Sequence, residues 1–190
     1  MKKELFRKSF HTLFGVVFLL LIWFAGVQLS TIIIGVCLLV GMAVSLLILK
    51  GYKVPLFFNI VKSVERKHEK HFPGKAAILF FASALILLVL FRTEPTLILA
   101  ALSVEVFADS AAAIVGRAIG KHKLLNKKTW EGTITCFIVA LACLLFFYAT
   151  PIALIAALAA TVIEVLPGED NLWVPIGTGI VLKILTSIVL

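Results

Sequence analysis

Two carboxylates, Glu105 and Asp109, stand four residues apart inside an apolar stretch spanning about 95–116. On a helix that spacing puts both on one face. Acids at membrane depth are costly and mark function. A stacked pair offers hard oxygen ligands to a divalent cation, and Mg²⁺ in particular keeps water and substrate phosphates in its shell. A plainer reading pairs Glu105 with Lys183 or another polar group of the bundle. Ser110 follows, inside a small-residue stripe of Ala108, Ala112, Gly116 and Gly120 at four-residue spacing. Such a stripe admits a ligand or, more commonly, a packed helix. Arg117 then leads into the run Lys121-His122-Lys123-Leu124-Leu125-Asn126-Lys127-Lys128-Thr129-Trp130-Glu131-Gly132. Cations for non-bridging oxygens, beside carboxylates for the metal, are what a triphosphate–metal complex requires. The run is not a phosphate loop of the GxxxxGK[ST] type. Glu164 and the connection Glu169-Asp170-Asn171 add further acids.

These residues must be positioned by apolar helices. Apolar runs fall at about 10–29, 31–49, 76–92, 95–116, 132–149, 151–166 and 172–190, each near the roughly 17–25 residues of a spanning helix except 151–166. The expectation is an all-α polytopic bundle forming one domain over 1–190. It has about seven spans, or six with one re-entrant segment. Sixteen of the eighteen Lys and Arg residues lie before residue 9, in 50–75 or in 117–131, while the alternate connections carry only Arg92. With seven spans these three segments share one side, and the positive-inside rule makes that side, and the N-terminus, cytoplasmic. The acids other than Glu94 fall on or near the same side.

Composition excludes a soluble domain. Hydrophobic residues make up 62% and charged residues 15%, too little charge for a surface facing water. The formal net charge of +8 flanks apolar runs and has no aromatic-studded face. It therefore suits lipid headgroups and phosphorylated ligands rather than nucleic acid. The first apolar run is too long for a signal peptide and has no small-residue cleavage site, so it reads as a retained span. The connection 50–75 mixes Phe57, Phe58, Ile60 and Val61 with lysines, as an interfacial amphipathic helix or a solvated basic loop would. Cys37, Cys136 and Cys143 lack metal-type spacing and read as buried small hydrophobes.

The stretch Phe107–Arg117, then Gly120, then Lys128-Thr129-Trp130-Glu131-Gly132-Thr133, resembles the central signature of the CTP-dependent lipid kinase family. That family includes dolichol kinase, phytol kinase and yeast-type diacylglycerol kinase. Arg7-Lys8-Ser9-Phe10-His11 resembles its N-terminal RKxxH element, and Pro73-Gly74-Lys75 the stretch opening its third helix. Glu164 with Asp170-Asn171-Leu172 and Pro175 resembles its E…DNxxxP element. The resemblance implies transfer of phosphate from CTP to a lipid alcohol in the bilayer. Asp109 would hold Mg²⁺ or another divalent cation, with Glu105. Arg117, Lys127 and Lys128 would steady the phosphates, with Gly116 and Gly120 beside them. Glu131 would orient the metal water or the incoming hydroxyl, and Asp170 with Asn171 would complete the nucleotide or metal site. His11, Ser110 and Glu164 are further candidates. Phosphatidate cytidylyltransferases are similar in style, but their Lys-Asp and His-Gly-Gly…Asp-Arg signature is absent here. A transporter or scaffold is the remaining alternative, although transporters more often place polar sites near the midplane. Which lipid alcohol is used is not written in apolar helices, and oligomeric state is open, a homodimer being one compatible form.

Overall fold

The computed structural model describes residues 2–52, 54, 72–125 and 128–189. The basic stretch 55–71 and Lys127 therefore lie outside the described residues, and with them the amphipathic-helix reading of 50–75. The described residues are helical nearly throughout. They form α1 (Lys2–Leu49), α2 (Lys75–Leu90), α3 (Pro95–Ser103), a π-helical turn (Val104–Asp109), α4 (Ser110–Ala118), α5 (Trp130–Leu145), α6 (Thr150–Val165) and α7 (Asp170–Val189). The sole β pairing among them is a single bridge between Lys123 and Thr129.

Local chemistry sets these boundaries. Pro95 and Pro151 occupy first-turn positions of α3 and α6, where a missing N–H costs nothing. Thr129 caps α5, its hydroxyl accepting from the Gly132 amide at 3.2 Å. The expected break near Ser30 falls instead at Gly26, whose φ of 75° suits a residue without Cβ. Ser30 belongs to the next helical turn and donates its hydroxyl to the Gly26 carbonyl at 2.7 Å.

The chain reverses at Gly26. Before it, Lys8 meets Asp109 and Gly15 meets Val106, so α1 runs against the α3–α4 direction. After it, Gly35 lies opposite Leu85, and the Ser45 hydroxyl donates to the Pro73 carbonyl at 2.7 Å, so this half runs against α2.

Leu5–Leu49, Pro95–Ala118 and Asp170–Ile188 are long and apolar enough to cross a membrane. The helices α2, α5 and α6 are apolar but have 16 residues each, about 24 Å of helix. The α3–α4 stretch lies at the centre, where Leu97, Ile98, Leu102, Val104 and Val106 are fully enclosed. On one side Phe18 stacks on Phe80 at 5.5 Å and meets Phe81 edge-on at 4.7 Å. On the other, Ala140, Ala153, Ala156, Ala157 and Ala160 let α5 and α6 pack closely. Outward faces carry Phe24, Leu39, Phe146 and Ile188 in the open, a surface matched to lipid rather than water. Cys136 is buried and Cys143 half-buried, whereas Cys37 sits on an exposed apolar face, contrary to the reading of all three as buried.

Candidate active site

The charged residues converge where the start of α1, the π turn, the loop before α5, the end of α6 and the start of α7 meet. Lys8, His11 and Thr12 share one face of α1 by their spacing. Each meets a partner near the π turn: Lys8 pairs with Asp109, His11 Nε2 lies 3.8 Å from Glu105, and Thr12 donates to the Ser110 hydroxyl at 2.9 Å. One turn on, Gly15 lets α1 close in, since a Cβ there would stand 2.3 Å from Val106 Cγ2. The π turn itself was not expected. Its i→i+5 bonding inserts an extra residue in the stretch that carries both acids, a distortion that recurs at functional sites.

From the opposite side come Glu164, in the last turn of α6, and Asp170, opening α7. Lys128 lies between them, paired with Glu164 and 2.8 Å from Asp170. Burial works against its charge, but the Glu164 and Asp170 carboxylates outweigh it and raise the Lys128 pKa above its usual value. Two groups of possible metal ligands result, each with ligand atoms within 4.8 Å of one another: His11, Glu105 and Asp109, and Asp109, Glu164 and Asp170. Asp109 belongs to both.

The donor chemistry fits a divalent cation. Both oxygens of Glu105, one of Glu164 and His11 Nε2 are buried without a hydrogen bond, and groups so placed call for a ligand. The all-oxygen set of Asp109, Glu164 and Asp170 is the kind Mg²⁺ favours.

Other expected site residues stand around this centre. Glu131 Oε1 accepts from the amides of Lys121 at 3.1 Å and His122 at 3.3 Å and meets the His122 ring at 2.8 Å. Bonds from its own amide, the His122 ring and the Lys121 amide hold its carboxyl down to about 2. Glu131 thus ties the lysine loop to α5. The space beside Gly116 and Gly120 is taken by Thr129 and Gly132: a Cβ on Gly116 would lie 2.9 Å from Thr129 Oγ1, and one on Gly132 2.9 Å from the Ala112 carbonyl. The small-residue stripe therefore serves a close crossing of α4 and α5. Arg117 sits in the last turn of α4. Asn171 donates to the Ala76 carbonyl at 2.9 Å, joining the starts of α7 and α2, and Lys75 pairs with Glu169 beside it. Lys183 pairs with Glu94 at 2.7 Å, so the plainer pairing of Glu105 with Lys183 is not made. Lys8 and Thr12 were missed as site residues, although their three- and four-residue spacings to His11 and Lys8 were the available signal.

The profile of the cytidylyltransferase family matches residues 1–188. A probable phytol kinase, chloroplastic, of Zea mays is 29% identical over 162 residues, covering 74% of this chain and 54% of the relative. Its counterpart in Triticum aestivum is 30% identical over 143 residues, covering 64% and 48%. The chain spans about half the length of these curated relatives. No solved structure matches. With the family profile running from the first residue through the charged centre and into α7, the chain belongs to the cytidylyltransferase family.

Proposed function

We propose that this chain is a membrane lipid kinase that transfers the γ-phosphate of CTP to the hydroxyl of a lipid alcohol. The gathering of Asp109, Glu164 and Asp170 around Lys128, at the end of an apolar bundle, carries the reading. The family and the probable phytol kinases among the relatives supply the reaction type. In the reaction the hydroxyl oxygen bonds to the γ-phosphorus, the bond from that phosphorus to the β–γ bridging oxygen breaks, the nucleoside diphosphate leaves, and the hydroxyl proton is released to solvent. Asp109 would hold Mg²⁺, either with Glu164 and Asp170 or with Glu105 and His11, the two ligand groups that share it. Bound there, the metal would neutralise phosphate charge. Lys128, Lys127 and Arg117 are the cations for the phosphate oxygens, and Lys8 pairs with Asp109 and orients it. Glu131 holds the loop that delivers the lysines, so that catalysis rests on positioning and charge.

The charge distribution favours a cytoplasmic site. With seven passes and a cytoplasmic N-terminus, the basic segments and the carboxylate centre share one side. CTP then arrives from the cytosol and the alcohol from the bilayer.

The deciding experiment incubates purified protein with γ-labelled CTP, Mg²⁺ and a panel of polyprenol, phytol-like alcohol and diacylglycerol. Label enters one of these lipids, and Asp109→Asn lowers the rate at least about 100-fold. Cytidine label entering phosphatidate instead would overturn the kinase reading in favour of a cytidylyltransferase.

A further inference from the structure

A cavity of about 310 Å³ opens where α6 passes into α7, lined by Ile163, Leu166, Trp173 and Gly177, with Glu169 and Asp170 at one end. Its polar end is the charged centre itself, because Asp170 belongs to the carboxylate group with Asp109 and Glu164. Its apolar end lies seven residues along α7, at Gly177, about 10 Å deeper into the apolar layer. Leu166 and Trp173 leave it open laterally, and an indole at that level suits a membrane interface.

Two glycines bound this space. A Cβ on Gly177 would stand 2.4 Å from Ile163 Cδ1 and force that side chain to move. A Cβ on Gly168 would press on Trp173 Cδ1 at 3.2 Å. The volume corresponds to roughly ten water-sized groups, enough for a hydroxyl head and the first carbons of a chain. The rest of a long lipid would remain in the bilayer.

We infer that this groove seats the acceptor lipid, with the hydroxyl at Asp170 and the first carbons against Ile163, Trp173 and Gly177. The division of chemistry along the groove matches such a molecule. The rim carries Asp170, paired with Lys128, and Glu169, paired with Lys75, whose remaining oxygen lone pairs can accept a hydroxyl hydrogen bond. The depth is apolar apart from the Trp173 indole N–H. A nucleotide base would bring polar edges to a wall with few partners for them. The inference deepens the kinase reading and rests on it for the identity of the substrate as an acceptor.

The test uses the full chain in lipid nanodiscs with a long-chain primary alcohol bearing a photoactivatable diazirine near its hydroxyl. Adducts should map to residues 163–177 and be competed by unlabelled long-chain alcohol but not by CTP. In Gly177→Leu, adduct yield falls and the KM for the lipid alcohol rises about tenfold, the effect of displacing two buried methylenes, while the KM for CTP is unchanged. Trp173→Ala, which removes bulk rather than adding it, should admit branched alcohols in preference to linear ones by the same adduct assay. Adducts confined to α1 or α2, or a Gly177→Leu effect on the KM for CTP alone, would overturn the assignment. If γ-label never reaches lipid, the kinase reading falls, and adduct mapping still decides the groove by itself.

Discussion

Asp109 accepts from Lys8 on one side and stands within ligand distance of Glu164 and Asp170 on the other. Removing the lysine would leave a buried carboxylate facing other carboxylates, the costly half of a broken ion pair. Lys8→Met should therefore lower stability by about 3–5 kcal/mol, read as a fall in the thermal midpoint of the detergent-solubilised protein, and Lys8→Arg should recover part of it. Lys8 was hidden in the sequence because a lysine near the N-terminus reads as a topology signal. Only the position of Asp109 across the bundle reveals its partner. Lys128 makes a prediction with a definite sign. Its pKa is raised in the folded protein, so its ion pairs contribute fully below its ordinary value near 10.5 and are lost as pH climbs through the raised one. The thermal midpoint of the wild type should thus fall, as pH climbs above about 10.5, more steeply than that of Lys128→Met.

Among the elements, the apolar runs were legible because bilayer-facing helices announce themselves by composition alone. Their edges were less so. The turn at Gly26 depends on one backbone angle, and a Gly within an apolar run is common in membrane helices. The π turn gave no signal either, since Val104–Asp109 reads as ordinary helix in the sequence. Glu105 and Asp109 were nevertheless placed together, because residues four apart stay close to one face in either geometry. The small-residue stripe was read with both of its uses open, and the crossing of α4 over α5 fills the space beside Gly116 and Gly120. That crossing can be tested at Gly132, where an added methyl would meet backbone rather than a mobile side chain. Gly132→Ala should cost about 1–3 kcal/mol and weaken CTP binding by displacing Thr129 and the lysine loop, measured by unfolding and by nucleotide titration.

For the whole molecule, the seven-pass reading puts the carboxylate centre and the Thr93 turn on opposite sides of the bilayer. At the far end the described charges include the Glu94–Lys183 pair at 2.7 Å, between the start of α3 and α7. Introduced cysteines report the arrangement directly. In a background lacking Cys37, Cys136 and Cys143, Lys123→Cys should react with an impermeant thiol reagent only from the cytoplasmic side and Thr93→Cys only from the other. Reaction of both from one side would overturn the seven-pass arrangement.

The Lys8–Asp109 pair also says something about the order of synthesis. Its two residues are 101 positions apart, so the first helix enters the membrane long before its partner exists. Until then an unpaired lysine at the edge of that helix carries an insertion penalty of up to roughly 3 kcal/mol, which snorkelling toward the headgroups would reduce. On the proposed reading, the carboxylate centre is complete only once α7 has emerged with Asp170, so a partly made chain would sit in the bilayer without its full ligand set.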